Sequence, residues 1–336
     1  MSAAEWPNGL REAWHPIAYL AEIGARPFKT RLMDRPLVLF RSNDAVVVLE
    51  DRCPHRNAPL SAGRIINGEI ECPYHGWRFG REGACNHIAG AEVADGARAT
   101  ALPVQVRDGL VWARLTLDHQ ALPSLPTEVF DPRFDSFWWR LPSSRAAIGD
   151  AIENLLDPIH AYFLHPGLVR RSRAPQPVDV DFTAEAHACT ARYAEPADSL
   201  TWLQRLTEGK RTDSWGRYSP PTIVQIAFED AKGINASIVV VFSPVARDET
   251  RPYACFSTRR GVLPAWLKRA FIIAFHRRVL AQDLAMLRQQ ADVHAQFGGP
   301  VYKIGPLDLF GPAIWAGING RPVAPHHRHL RLKGPG

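Results

Sequence analysis

Short apolar runs separated by turn residues dominate the first third of the chain. Apolar runs at residues 37–40 and 46–49 flank Ser-Asn-Asp at 42–44, and isoleucines at 65, 66 and 70 flank Asn-Gly-Glu at 67–69. Asn and Gly favour tight turns, because both tolerate positive backbone φ angles. A last run, Leu-Val-Trp-Ala at 110–113, closes the series. The pattern predicts a small all-β domain over residues 1–118, with loops between its strands.

The rest of the chain follows a different pattern. Recurring prolines predict a linker over residues 119–136, and Phe-Trp-Trp at 137–139 is the first strand expected after it. A helical pattern at 146–163 precedes strand-like runs at 190–193, 200–206, 222–228, 236–242 and 253–258. Pro264 then opens a long helical pattern that ends near His294, and proline is favourable in the first turn of a helix. This order predicts an α+β fold, in which residues 137–320 form a helix-grip domain with an antiparallel sheet around one long helix.

The last residues, 321–336, carry three histidines and several arginines and are predicted to form a basic, poorly ordered tail. A metal or partner site in this tail is the alternative.

Composition limits the classes of function. The chain has 40 Lys and Arg against 34 Asp and Glu, and the excess is scattered rather than interleaved with aromatic residues. We therefore expect no nucleic-acid partner, although a basic patch would suit an acidic electron carrier. The longest apolar runs, at 238–242 and 271–275, are far too short to span a bilayer. An odd cysteine count of five and a start without a signal peptide favour a cytoplasmic protein.

Two short motifs combine cysteine with histidine. Cys53-Pro54-His55 is a C-x-H motif, and Cys72-Pro73-Tyr74-His75 is a C-x2-H motif. Zinc sites more often keep their cysteines paired as C-x2-C. Alternating thiolates and imidazoles suit a 2Fe–2S cluster in which one iron has two Cys ligands and the other has two His ligands. A zinc-stabilised module and a metal-free pair of motifs are the alternatives.

A second metal site is predicted near residue 160. His160 and His165 are five residues apart, so on an ideal helix they point about 140° away from each other. They can bind one metal only if the helix widens or ends between them, and Pro158 and the Pro-Gly pair at 166–167 favour such a break. Asp157 and Asn154 lie in the same segment.

The third ligand has to come from elsewhere in the chain. Two imidazoles and one carboxylate form the arrangement of non-haem iron(II) oxygenases. Asp283 lies at helical spacing in the otherwise apolar stripe Phe275, Val279, Met286 and Leu287. A buried carboxylate costs several kcal/mol unless a cation compensates it. Asp283 is therefore the candidate, with an ion pair to Arg278 or Arg288 as the alternative.

Together, these motifs resemble the signature of the Rieske non-haem iron oxygenases. The family pattern is C-x-H, then C-x2-H, then N-x2-D-x2-H-x4-H, and finally an Asp on the last long helix; the resemblance extends from residue 14 to about 290. It implies that residues 1–118 are a Rieske domain and that residues 137–320 are the catalytic domain. The implied cluster ligands are Cys53, His55, Cys72 and His75. The implied ligands of a mononuclear Fe(II) are His160, His165 and Asp283.

The resemblance also implies roles for two further residues. Asp157 would bridge His160 of its own chain and His75 of a neighbouring chain, which implies a homotrimer. Asn154 would lie close to the iron. The chain is short and has no flavin- or nicotinamide-binding glycine motif. In both respects it resembles the single-subunit branch of vanillate O-demethylase.

The expected function is that of a terminal oxygenase component. It would use O2 and electrons from NAD(P)H, delivered by a separate reductase or ferredoxin, to demethylate or hydroxylate an aromatic or polycyclic substrate. Ring cis-dihydroxylation is a rival reaction. From another class, a Rieske electron carrier fused to a lipid- or ligand-binding domain is the alternative, and it would need two irons per chain rather than three.

The substrate pocket is expected between the sheet and the closing helix. Arg192, Arg205 and Arg217 are weighed as carboxylate anchors, although surface exposure is the default for arginine. The apolar candidates for its lining are Ile223, Ile226, Phe228, Ile238, Val240 and Phe256, and the polar ones are Gln225, Asn235 and Ser237.

Overall fold

The computed structural model describes residues 5–93, 96–117, 121–171, 173, 177–194 and 211–332. The strand predicted at 200–206, and Arg205 within it, lie outside the described residues. The chain divides into two compact units, and the main division falls between Pro123 and Ser124. Two short segments cross this division, since residues 7–10 belong to the second unit and residues 243–247 to the first.

The first unit consists of three small antiparallel sheets with the strand orders β1-β10-β9, β2-β3-β4 and β5-β6-β7-β8. Its core joins Phe40, Leu49, Ile70 and Phe79 to the buried thiols of the two motifs. The strands are β1 His15–Tyr19, β2 Phe28–Leu32, β3 Arg35–Ser42, β4 Ala45–Glu50, β5 Arg64–Ile66, β6 Glu69–Glu71, β7 Arg78–Phe79, β8 Cys85–His87, β9 Val104–Arg107 and β10 Leu110–Ala113, and helix α1 is Asn8–Glu12.

The second unit is built on one eight-stranded antiparallel sheet with the order β11-β17-β16-β15-β14-β13-β12-β18. Its strands are β11 Phe134–Arg140, β12 Val178–Glu185, β13 Ala188–Ala194, β14 Asp213–Ser219, β15 Ile223–Asp230, β16 Gly233–Ala246, β17 Glu249–Arg259 and β18 His326–Leu332. Its helices are α2 Ile148–Leu156, α3 His160–Leu164, α4 Ala265–Gln296 and α5 Gly311–Ile318.

The long helix α4 confirms the predicted helix-grip arrangement. It runs for 32 residues, and the carbonyl of Pro264 accepts hydrogen bonds from the first-turn amides of Leu267 and Lys268. The helix packs on the sheet through His276, whose ring centroid lies 5.0 Å from that of Phe256 on β17. No helix in the described part of the chain is both long and apolar enough to cross a bilayer.

The structure corrects the predicted boundaries at two places. Strand β11 begins at Phe134, inside the stretch predicted as linker. The prediction of a poorly ordered tail is wrong for residues 326–332, because they form β18 along β12. His329 Nδ1 lies 2.8 Å from the Asp181 carboxylate on that neighbouring strand. Such cross-strand pairs join residues distant in sequence, so the local composition of the tail did not show them.

Candidate metal centres and active site

The first constellation lies on two matching loops of the first unit. In each loop the cysteine amide donates to the carbonyl five residues later, which is Ala58 for Cys53 and Trp77 for Cys72. Each cysteine carbonyl in turn accepts from the amide four residues later, which belongs to Asn57 or Gly76. Both of these residues have positive φ angles, 60° for Asn57 and 68° for Gly76. The two loops therefore share one backbone plan, and each presents a thiol and an imidazole.

The four side chains differ in their exposure. Cys53 and Cys72 are 1% and 3% exposed, whereas His75 is exposed and His55 half-buried. The two imidazole centroids lie 4.6 Å apart, and the ring of His55 stacks on Trp77 at 4.7 Å. The structure thus brings together all four predicted residues, with the thiols inside and the imidazoles towards solvent.

These residues fit a 2Fe–2S cluster. Burial, together with the neighbouring Cys72 thiol, raises the pKa of Cys53 to about 11, so a thiolate at Cys53 requires a cationic metal centre to stabilise it. The Nδ1 atom of His55 is buried and has no hydrogen-bond partner among the described residues. A buried nitrogen with an unused lone pair suits a metal ligand.

The backbone of the second loop gives a testable expectation. Gly76→Ala should lower the free energy of unfolding of the first unit by about 1–2 kcal/mol, because φ at this position is left-handed. The new Cβ would meet the Ala89 Cβ at 3.5 Å, an ordinary contact, so the backbone cost is isolated. Denaturation followed by the cluster's visible absorption measures the effect. Gly24→Ala is the matched control, since its φ is not positive and no atom lies within 4 Å of its new Cβ. Equal free energies of unfolding for the two variants would contradict a left-handed backbone at Gly76.

The second constellation depends on a break between α2 and α3. Asp157 ends α2 with an extended backbone, φ −75° and ψ 119°, as expected for a residue that precedes proline. Its carboxylate then accepts hydrogen bonds from the amides of Ile159 and His160 at 2.8 and 3.0 Å. These are amides at the start of α3, so Asp157 ends one helix and stabilises the next. The helix break predicted from Pro158 is observed before His160. A second break lies between the two histidines, as predicted, because α3 ends at Leu164 and His165 follows with a non-helical backbone, φ −119° and ψ 39°.

His160, His165 and Asp283 come together at this break. One ligand atom from each lies within 4.8 Å of the others. Asp283 Oδ1 is 3.0 Å from His165 Nε2 and 3.7 Å from His160 Nε2. Among the described residues, the ion-pair partners of Asp283 are these two histidines and not an arginine.

The donor set of this triad fits a metal ion. His160 Nδ1 lies 2.6 Å from the main-chain carbonyl oxygen of Asp157, and His165 Nδ1 lies 2.7 Å from Gln282 Oε1. Each Nδ1 therefore faces an acceptor, which leaves both Nε2 atoms directed at the shared carboxylate. Two imidazole nitrogens and one carboxylate that converge in this way suit iron(II) and leave coordination positions open.

Asp157 and His160 are coupled electrostatically. Burial acts to raise the pKa of Asp157, but hydrogen bonds from His160 and Ile159 outweigh it and hold that pKa below its ordinary value. Burial acts to lower the pKa of His160, but the carboxylates of Asp157 and Asp283 outweigh it and raise that pKa. The carboxylates of Asp157 and Asp283 therefore favour positive charge in the surroundings of His160, as a bound metal cation would supply.

Two cavities lie beside the break. One of about 390 Å³ is lined by Asn154, Asp157 and Glu153, among others. Burial, with nearby carboxylates adding to it, raises the pKa of Glu153 to about 7. Asn154 thus lies on α2 and lines the same cavity as Asp157.

The other cavity, of about 140 Å³, lies between the α2–α3 segment and the sheet. Of the predicted pocket residues, Ile226 and Phe228 line it, together with Ala161, which directly follows His160. Gln225 and Ser237 instead bond to each other at 3.1 Å inside the sheet.

Of the arginines weighed as anchors, Arg217 is exposed and Arg192 pairs with Glu229 at the surface. Sequence analysis missed Gln282 and Asn57, because an exposed glutamine and a lone asparagine carry no metal-site pattern.

Comparisons with known proteins agree with this geometry. Residues 13–99 match the Rieske 2Fe–2S domain, and residues 145–302 match the vanillate O-demethylase oxygenase C-terminal domain. Methylxanthine N1-demethylase NdmA of Pseudomonas putida is 26% identical over 302 residues, which cover 84% of this chain and 81% of that protein. The oxygenase component of dicamba O-demethylase from Stenotrophomonas maltophilia is 34% identical over 168 residues, 46% of this chain and about half, 48%, of that protein.

Solved structures share the fold. NdmA with caffeine superposes with a TM-score of 0.76 at 22% identity and covers 92% of this chain and 90% of that one. Dicamba monooxygenase bound to dicamba gives 0.78 at 21% identity, over 93% and 97% of the two chains. The two domain matches, in the order that the metal motifs require, favour an oxygenase over a simple electron carrier. This chain therefore belongs to the Rieske non-haem iron oxygenases, oxidoreductases that combine a 2Fe–2S cluster, a mononuclear iron and O2, in the branch with the C-terminal domain of vanillate O-demethylase.

Proposed function

We propose that this chain is the terminal oxygenase of a demethylase or hydroxylase that acts on an aromatic or polycyclic substrate. The observation that carries the proposal is the convergence of His160, His165 and Asp283 within 4.8 Å. A simple Rieske electron carrier has no use for such a triad. Relatives named for N- and O-demethylation support demethylation first and hydroxylation second.

Each metal-binding group has a defined role in this proposal. Cys53, His55, Cys72 and His75 hold the cluster, and His160, His165 and Asp283 hold the iron. When bound, the cluster supplies electrons and the iron supplies O2 activation. Asp157 orients His160 through its main-chain carbonyl, which faces Nδ1 and leaves Nε2 for the iron, while Asn154 lines the cavity of about 390 Å³ together with Asp157.

The cavity of about 140 Å³ is proposed to hold the substrate ring that carries the reacting group, since it has room for about one aromatic ring. Ala161, the residue after His160 in the sequence, forms part of its wall, and Tyr193, Trp215 and Phe228 give it an aromatic lining. Aromatic walls suit a flat ring and exclude water from the reacting methyl group or C–H bond.

The chain is further proposed to work as a cytoplasmic homotrimer. The exposed imidazole of His75 supports a contact with Asp157 of a neighbouring chain. Tyr74 beside it is 65% exposed and offers a surface to a separate reductase or ferredoxin that is fed by NAD(P)H. None of the five cysteines, all of which lie in the described residues, is in a disulfide, as suits a reducing compartment.

Turnover assays test the proposed function. The protein is supplied with NAD(P)H, a generic Rieske reductase, O2 and a panel of aromatic methyl ethers, N-methyl heterocycles and polycycles. Demethylation should release one formaldehyde and one demethylated product per O2 consumed, whereas hydroxylation should give an alcohol without formaldehyde. Omission of the reductase is the control. No O2-dependent product from any substrate, with only two irons per chain, would favour the electron carrier instead.

A further inference from the structure

His165 is held from both sides of its ring. Its side chain is 1% exposed, so water does not compete for its two nitrogens. Nε2 lies 3.0 Å from Asp283 Oδ1, and Nδ1 lies 2.7 Å from Gln282 Oε1. Both nitrogens of one buried imidazole therefore face oxygen atoms, and the two oxygens come from adjacent residues of α4.

The contact at Nδ1 decides what Nε2 can do. A neutral imidazole carries one N–H, so a proton on Nδ1 leaves a lone pair on Nε2 for a metal. The amide oxygen of Gln282 accepts a hydrogen bond from Nδ1–H and thereby stabilises that tautomer. It also fixes the plane of the ring, because the hydrogen bond holds the edge opposite Nε2.

The two histidines of the triad obtain the same orientation by different means. His160 Nδ1 faces a main-chain carbonyl, that of Asp157, at 2.6 Å. That acceptor is part of the helix break and stays there whatever side chain occupies the position. His165 instead relies on a side chain, which a substitution removes. Gln282 is exposed on α4 and is not a core residue. Only the end of its side chain reaches inward, where the amide oxygen contacts His165.

We propose that Gln282 is a positioning residue that sets the tautomer and ring plane of His165 and thereby the metal affinity of the triad. This inference rests on the proposed function, because it assigns Gln282 to the same iron site. Two neighbouring residues of α4 thus have different roles. Asp283 faces the metal-binding nitrogen of the His165 ring, and Gln282 faces the other nitrogen.

Metal affinity measures this role without any turnover. The chain with its cluster intact is stripped of the mononuclear ion by a chelator and titrated with Co(II) against a fluorescent competitor. Gln282→Met keeps the length and helix propensity of the side chain but loses the amide acceptor. Its Kd for Co(II) should rise about 10- to 100-fold, as is typical when the partner of a metal-bound histidine is lost.

Two further variants make the test specific. Gln282→Glu retains an oxygen acceptor and should keep the Kd close to that of the wild type. Gln289→Met, at another exposed position of α4, is the matched control and should leave the Kd unchanged. Circular dichroism and the cluster's visible absorption check that each variant is folded.

The outcomes separate the inference from the function on which it rests. An unchanged Kd in Gln282→Met overturns the positioning role. Equal weakening in Gln282→Met and Gln282→Glu also overturns it, since the acceptor would then be irrelevant. A wild-type chain that takes up no Co(II) beyond its cluster overturns the iron site itself, and the proposed function with it.

Discussion

Replacing His160 by alanine should abolish turnover while leaving the visible absorption of the cluster unchanged. His160 Nε2 lies 3.7 Å from Asp283 Oδ1 in the triad, so its removal leaves one imidazole and one carboxylate, too few ligands to hold iron(II). We expect turnover to fall below about one thousandth of the wild-type rate, equivalent to about 4 kcal/mol of lost transition-state stabilisation. Iron content should fall from about three to about two per chain.

His187→Ala is the matched control for that experiment. His187 lies exposed in the turn between β12 and β13, so its loss should affect neither iron content nor rate. If His160→Ala kept its third iron and its turnover, the triad would not be the catalytic site.

Asp157→Asn should slow turnover about 10- to 100-fold while both metal centres remain loaded, as is typical when the surroundings of a metal-bound histidine are changed. The main-chain carbonyl that faces His160 Nδ1 stays in place. Asparagine is as good a helix cap as aspartate, so the bonds to the amides of Ile159 and His160 survive through its side-chain oxygen. What disappears is the negative charge that raises the pKa of His160. The proposed link to His75 of a neighbouring chain would weaken at the same time.

Single-turnover kinetics isolate this effect. The pre-reduced cluster should be re-oxidised more slowly in Asp157→Asn than in the wild type, at equal iron content. An unchanged rate of cluster oxidation would rule out Asp157 as the connection between the two centres. Loss of iron from the variant would instead assign Asp157 a purely structural part in holding His160.

Much of both sites was predictable because each motif is local. Cys53 and His55 are two residues apart, and Cys72 and His75 are three apart, so each ligand pair can be recognised in the sequence as one short motif. Asp283 was predictable for a physical reason, since a carboxylate in an apolar helical stripe needs a cation. The same reasoning overstated the burial of the apolar stripe around Asp283, because Met286 in that stripe is 46% exposed.

What sequence analysis missed depends on contacts between distant residues. Gln282 contacts His165 across 117 positions of sequence, and neither residue type signals the other. Strands β12, β14 and β18 and helix α5 went unpredicted. The three strands contain many polar or charged residues. Helix α5 has only eight residues, too few to show a helical period, and they include two glycines and a proline. The basic composition of residues 326–332 suggested disorder, yet the backbone bonds along β12 and the partner carboxylate of Asp181 order them.

Strand β18 has a consequence for handling the protein. It covers the outer backbone edge of β12, and its own exposed side carries His327, His329 and Arg331. Charged edge strands discourage the intermolecular β-pairing that leads to aggregation. A truncation before residue 326 would uncover β12, whose alternate side chains are buried and apolar. The unpaired backbone of β12 would then be open to intermolecular β-pairing and aggregation. Expression tags are better placed at the other terminus, and trimming of the C-terminal residues should be avoided when crystals are sought.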